Sequence, residues 1–244
     1  MIQEALIYLE QRQLQNITAL KMLYTYPKFC MVYALPDGVL ILLEPTAMPY
    51  DRETYPNATQ IVLLYADSSQ STRELLKFVP VKHPTIWKIV SEVVTRETRQ
   101  HVVLIRQRAF ISFTDSRLYT FDSAVSISSS PSQTALVAYG KLGHEQVWLE
   151  DLLTRGLAFC CEMKGSVCFA FANHQNIWEV GGVFTSSEYQ RQGLAARVVK
   201  TCIAELQRRN LRTRYQVHEE NLASIGLAKH LGLEQVCTIT HWQS

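Results

Sequence analysis

The stretch Val183-Phe184-Thr185-Ser186-Ser187-Glu188-Tyr189-Gln190-Arg191-Gln192-Gly193-Leu194-Ala195-Ala196 decides how the chain is read. Ile177 to Thr185 is an apolar run with the composition of a strand; a short polar turn and a glycine follow. From Gly193 onward, apolar residues fall at Leu194, Ala195, Val198, Val199, Cys202, Ile203 and Leu206. That spacing predicts a helix, with Arg197, Lys200, Glu205, Gln207 and Arg208 on its polar face. The first turn of a helix carries about four N–H groups without intrahelical partners, and the macrodipole makes that end positive. A glycine followed by small residues leaves this backbone open to an anion such as phosphate.

Strand, turn, Gln190-x-x-Gly193-x-Ala195 and helix together resemble the pyrophosphate-binding motif of the GNAT superfamily of acyl-CoA-dependent N-acyltransferases, written Arg/Gln-x-x-Gly-x-Gly/Ala. Six residues of this kind also suit an ordinary surface turn that starts a helix. A second landmark adds weight: Asn221-x-x-Ser224-x-x-Leu227-x-x-His230-x-Gly232-Leu233 resembles the family's Asn-led helix closed by a Gly-Phe/Leu pair. The strand-like Arg212–His218 lies between them, as the family's order requires.

Composition sets ordinary bounds. A chain of 244 residues allows one or two domains. An apolar share of 47% with 19% charged residues suits a globular protein with sizeable cores. A formal charge of +2 is too small to argue for nucleic acid or an anionic membrane. No apolar run approaches the ~20 residues of a membrane span, and Met1–Gln15, with Glu4 and Glu10, reads as a helix rather than a leader. The six cysteines lack C-x-x-C spacing and read as core thiols, so no metal is expected and the expected location is cytoplasmic, with the mitochondrial matrix left open.

Taken in order, residues 1–25 read as one or two helices. Strands are expected at Phe29–Leu35, Val39–Leu43 and Gln60–Ala66, and helices at Ser69–Phe78 and Thr85–Thr98, with Pro84 suiting the first turn of the latter. His101–Gln107, Arg108–Phe113 and Leu118–Phe121 are strand-like again. Residues 123–132, rich in serine, read as a linker between a domain at 1–122 and another at 133–244. In the second domain helices are expected at Thr134–Lys141 and Glu145–Arg155. Strands follow at Leu157–Met163, Val167–Ala172 and Ile177–Thr185, then helix, strand, helix and a last strand, Leu233–Thr240. The fold class is α/β with a mixed α+β sheet. The resemblance implies a GNAT fold in the C-terminal half.

The first half is also similar, in Tyr26-Pro27-Lys28-Phe29 and Tyr55-Pro56-Asn57-Ala58-Thr59-Gln60-Ile61, to the N-terminal half of glycine N-acyltransferases. Trp148-Leu149-Glu150-Asp151-Leu152 leading to Ala158-Phe159-Cys160-Cys161 fits the same branch. That similarity implies a degenerate GNAT-like half without a cofactor motif; the alternative is an unrelated half that provides a dimer surface.

The resemblance implies acetyl-CoA or another short acyl-CoA as acyl donor. Val183 and Thr185, flanking Phe184, would pair their backbones with the pantetheine arm. Gln190, Arg191, Gln192, Gly193, Leu194, Ala195 and Ala196 would surround the pyrophosphate. Asn221, with Ser224, would meet the pantetheine, and His230 would stand near the adenosine. Transfer to an amine needs a base, because alkylammonium groups have pKa ~10. The family's catalytic glutamate stands eleven residues before the first motif position, which here is Glu179. Flanked by Trp178 and Val180, its carboxyl is expected to be desolvated toward a useful pKa; the alternative is a strand-edge glutamate facing water. The N–H four residues further on, Val183, would stabilise the oxyanion, with Gly181-Gly182 allowing a bulge there.

One departure stands out. Many family members have a tyrosine acid after the Leu227 position, whereas this chain has Ala228. Tyr215 and His218 are weak substitutes. The run Arg208, Arg209, Arg212, Arg214 either touches the cofactor's 3′-phosphate or is a solvated helix end. The expected activity is acyl transfer to a small amine or amino acid such as glycine; the alternatives are a protein or peptide N-acetyltransferase, a CoA-binding sensor without turnover, and a structural adaptor. The expected partners are acyl-CoA and a small amine, with no nucleic acid and no membrane; a homodimer is compatible with the sequence.

Overall fold

The computed structural model describes residues 1–47, 49–80, 84–142 and 146–244. Two compact units emerge, Met1–Ile111 with Cys237–Ser244, and Ser112–Val236.

The first unit opens with helices α1 (Ile2–Glu10) and α2 (Gln13–Thr25). Strands β1 (Cys30–Leu35) and β2 (Gly38–Leu43) form an antiparallel hairpin across Pro36-Asp37. After α3 (Pro49–Thr54), β3 (Gln60–Ala66) lies antiparallel on β2. Then come α4 (Ser69–Leu76), β4 (Thr85–Ile89) parallel to β3, α5 (Glu92–Thr98) and β5 (Ile105–Thr114), whose last residues belong to the second unit.

The continuous apolar runs of β2 and β3 are buried on both faces, as period-two alternation requires when each face meets helices. Ile41, Leu43, Ile61, Leu63 and Tyr65 join the cluster containing Leu9, Leu20 and Leu23 of α1 and α2. Leu40, Leu42, Val62 and Leu64 turn the other way, to Leu75 of α4 and Val94 of α5.

Thr85–Thr98, expected as one helix, is the strand β4 followed by the short α5. All five residues of β4 are buried, and its Lys88 is neutralised by Asp51 at 2.6 Å. A lysine, which ordinarily faces water, therefore lies in the interior.

In the second unit the serine-rich stretch is structured: β6 (Ser126–Ser128) pairs antiparallel with β7 (Ala158–Met163). Ser132 caps α6 (Gln133–Lys141), its Oγ accepting from the Ala135 N–H at 3.2 Å and donating to Glu162 Oε2 at 2.6 Å. Helix α7 covers Gln146–Thr154; Glu145, expected to begin it, lies outside the described residues. Strands β7, β8 (Ser166–His174) and β9 (Ile177–Thr185) form an antiparallel meander. Helix α8 (Leu194–Arg208) leads to β10 (Arg212–His218), parallel to β9. Helix α9 (Leu222–Leu231) and β11 (Glu234–Gln243) close the chain; residues 240–243 of β11 lie antiparallel on β4 in the first unit.

Leu118–Phe121, expected as a strand, is irregular and belongs to the second unit. Side-chain and backbone bonds tie this segment to α8 and α9: Gln207 holds Asp115 at 2.7 Å and the Tyr119 N–H at 3.0 Å, and Tyr119 Oη donates to the Leu231 carbonyl at 2.7 Å. Residues 112–122 belong with the second unit, to which these bonds join them.

Leaving α3 and β6 aside, both units run helix, helix, three antiparallel strands, helix, a strand parallel to the third, helix. Among the described residues no helix is long and apolar enough to cross a membrane.

Candidate active site

Gly193 is the N-cap of α8 and sits at φ 76°, the left-handed region that an L side chain enters only at a cost. It receives no side-chain cap, and a Cβ placed there meets nothing within 4 Å. The first ladder bond is Arg197 N–H to the Gly193 carbonyl, 3.2 Å, so the N–H groups of Leu194, Ala195 and Ala196 precede the ladder. Gln190, Arg191, Gln192 and Gly193 are exposed, while Leu194 and Ala196 are buried beneath them. Gln190 and Gln192 brace the turn by donating to the carbonyls of Thr185 (3.1 Å) and Glu188 (3.0 Å). Arg197 is held off to the side by Asp122, at 2.5 and 3.0 Å, and that pairing keeps the Asp122 carboxyl below the usual carboxylate range.

Beside this turn two parallel strands part. The register of β9 and β10 runs from Ile177↔Arg212 to Glu179↔Arg214. Both strands continue, to Thr185 and His218, with no further pairing to each other among the described residues. On its other side β9 stays paired to β8, with a bulge: Val167 and Phe169 oppose Phe184 and Gly181. The extra residue falls at Gly182–Val183, and Gly182 takes φ +59°. Val183, Phe184 and Thr185 are each partly exposed along the open strand. Such a fork presents unpaired backbone groups to a ligand that can act as a further strand.

Glu179 stands at the last paired row of the fork, in line with Phe171 on β8 and Arg214 on β10. Its side chain is 32% exposed, and its Oε2 accepts from Arg214 Nη1 at 2.7 Å and Asn173 Nδ2 at 2.9 Å. The expected environment was apolar desolvation; the structure gives the carboxylate a buried cation and an amide instead. Tyr139 of α6, 2% exposed, packs on Phe169 and Phe171, and burial together with the charge of Glu179 pushes its phenol up.

On the far side of the fork Asn221 caps α9, its Oδ1 accepting from the Ser224 N–H at 3.0 Å. Tyr215 is 2% exposed, and burial pushes its phenol up to about 12. Ala228 is fully buried. His230 is exposed in the last turn of α9.

The arginine run disperses. Arg208 and Arg209 both pair with Glu205 at 2.7 Å, and Arg214 turns inward to Glu179. Sequence reasoning placed Arg214 in that run and missed Asn173. The available signal was register: if β9 and β10 start level, at Ile177 and Arg212, Arg214 must face Glu179.

Residues 135–233 match the acetyltransferase (GNAT) family. Several solved structures share the fold at low identity. A GCN5-related N-acetyltransferase from Sphaerobacter thermophilus superposes with a TM-score of 0.63 at 12% identity, covering 100% of this chain and 91% of the other. An acetyltransferase of the GNAT family from Colwellia psychrerythraea gives 0.57 at 12% identity, covering 98% and 96%. A tandem GNAT protein from the clavulanic acid biosynthesis pathway gives 0.52 at 10% identity, covering 94% and 87%. No curated protein sequence matches the chain. With an uncapped helix beside a splayed, bulged strand, the second unit has the fold of the GNAT acetyltransferases, the family that residues 135–233 match.

Proposed function

We propose that the chain transfers an acetyl or other short acyl group from acyl-CoA to the amine of a small molecule or amino acid. The observation that carries this reading is the fork: an open strand edge from Val180 to Thr185 ends in the exposed, uncapped turn at Gly193. In this reading the N–H groups from Arg191 to Ala196 bind the pyrophosphate, the backbones of Val183 and Thr185 pair with pantetheine, and Asn221 and Ser224 line the arm. The Val183 N–H would meet the thioester oxygen as it becomes an oxyanion.

Glu179 would take one proton from the substrate ammonium, directly or through a water, because only the neutral amine has a lone pair to attack. The new C–N bond forms as the C–S bond breaks. The nitrogen, cationic once bonded to the carbonyl carbon, loses its second proton to solvent; the sulfur departs as thiolate, which a thiol of pKa ~8.5 tolerates, and takes a proton from solvent. The place of the family's tyrosine acid holds the buried Ala228, so the reading uses no side-chain acid for the thiolate.

The first unit, with the same element order, would be a degenerate GNAT-like half. Its corresponding helix start is already occupied: Asp37 accepts from Ser68 Oγ at 3.2 Å and from Ser71 Oγ, ahead of α4. Ser68 Oγ itself accepts from the Ser71 N–H at 3.1 Å, so that helix start carries the side-chain cap that Gly193 lacks, and the whole chain would take one CoA.

Thiol release from acetyl-CoA across a panel of amino acids, small amines and peptides tests the reading. Turnover with at least one small amine, reduced ~100-fold or more in Glu179→Gln, is the expected result. CoA binding by calorimetry without thiol release from any amine would make the protein a sensor, and absence of binding would refute the site itself.

A further inference from the structure

Arg214 is 4% exposed and carries five donors, yet one arm alone meets the carboxylate it faces. Its Nε and Nη2 are buried without a hydrogen-bond partner among the described residues. A buried guanidinium kept for stability is best served by two-pronged pairing, since desolvation of the charge must be offset by its bonds. This one is poorly compensated, and it lies at the closed end of the fork. Exposure is asymmetric across the pair: 32% for the Glu179 side chain, 5% for that of Arg214. A substrate can therefore reach the carboxylate but not the cation behind it.

We infer that Arg214 is a positioning residue for acyl transfer: it holds the Glu179 carboxylate at the mouth of the fork and supplies the counter-charge that a partly buried base needs there. The inference rests on the reading of Glu179 as proton acceptor. Around Glu179, β10 contributes Arg214, β8 contributes the neutral Asn173 and Phe171, and α6 contributes Tyr139. Helix α8, also packed against β9, commits Arg197 to Asp122 and Glu205 to Arg208 and Arg209. Arg214 is thus the cation paired with this carboxylate, 2.7 Å away.

The experiment is the pH dependence of kcat/KM for the full chain, with acetyl-CoA and the best amine of the panel, in the native protein, Arg214→Lys, Arg214→Gln and Glu179→Gln. In Arg214→Gln the acid limb is expected to move up by about one pH unit, with kcat/KM at pH 7 falling about tenfold or more. Arg214→Lys keeps the charge and should leave the limb within a few tenths of a unit. CoA affinity, read by calorimetry, should stay within about twofold in both, since neither change touches the phosphate turn.

A uniform drop at every pH, with the limb unmoved, would overturn the inference and leave Arg214 a packing residue. Should Arg214→Gln not fold, Asn173→Ala removes the other donor to the same oxygen; a limb shifted upward there, by less than a unit, supports the inference and an unmoved limb overturns it. Full activity in Glu179→Gln is a different failure, that of the proton acceptor itself.

Discussion

Gly181 and Gly182 are identical neighbours in the sequence with different surroundings in the fold. A Cβ at Gly181 meets nothing within 4 Å, whereas at Gly182 it comes within 2.9 Å of the Phe169 ring, on a backbone at φ +59°. Gly181→Ala is therefore expected to change stability by no more than about 0.5 kcal/mol. Gly182→Ala should cost about 2 kcal/mol, from left-handed strain and the clash with Phe169. Urea denaturation of the two variants separates them; equal losses would mean that the bulge does not sit on Gly182. A glycine pair announced the bulge, but which member carries it depends on the β8 register and on a ring contributed by Phe169. Glu179 shows the same limit. Its place in the strand was legible, and its partner followed only once β9 and β10 were known to pair level, because that ion pair joins residues 35 positions apart.

Among the elements, α8 was the most legible, since its apolar stripe and glycine start are local properties. The structure adds what the ends do. The first turn is left bare, while the last is locked by Glu205, which is 4% exposed and accepts from Arg208 and Arg209. Those bonds, that to Arg208 foremost, hold the Glu205 carboxyl below the usual carboxylate value of about 4.3. Between its depressed folded pKa and that unfolded value, the unfolded chain binds more protons. This contribution to stability is complete above about pH 4.3 and is lost as pH falls through the folded pKa. Urea midpoints between pH 3 and 6 should fall more steeply on the acid side in the native protein than in Glu205→Gln. Parallel curves would show that the three side chains contribute nothing together. β4 marks the opposite case. The stretch from Thr85 reads as a helix and is a strand, whose buried Lys88 is charge-neutralised by Asp51, 37 positions away.

Across the whole molecule the same pair carries a stability prediction. Lys88 and Asp51 are 5% and 0% exposed, and burial is the main influence lowering the lysine's pKa. Lys88→Met leaves a buried carboxylate without its cation and should cost about 3–5 kcal/mol. Replacing both, in Asp51→Leu/Lys88→Met, should recover most of that, because apolar side chains of similar size remove the desolvation cost. Equal losses in the single and double variants, measured by urea denaturation, would count against an ion pair whose main role is mutual neutralisation.

The sequence by itself determined the α/β class, the glycine-started helix at Gly193, the Asn-led helix at Asn221 and most of the strands and helices of the second unit. All of these follow from spacing within a few residues of one another. Only the tertiary structure decided that the first unit repeats the element order of the second, that residues 237–244 complete the first unit, and that Arg214 stands behind Glu179. Strand pairing and buried charge neutralisation join residues far apart in the chain, and no local pattern of side chains encodes which distant partner will be met.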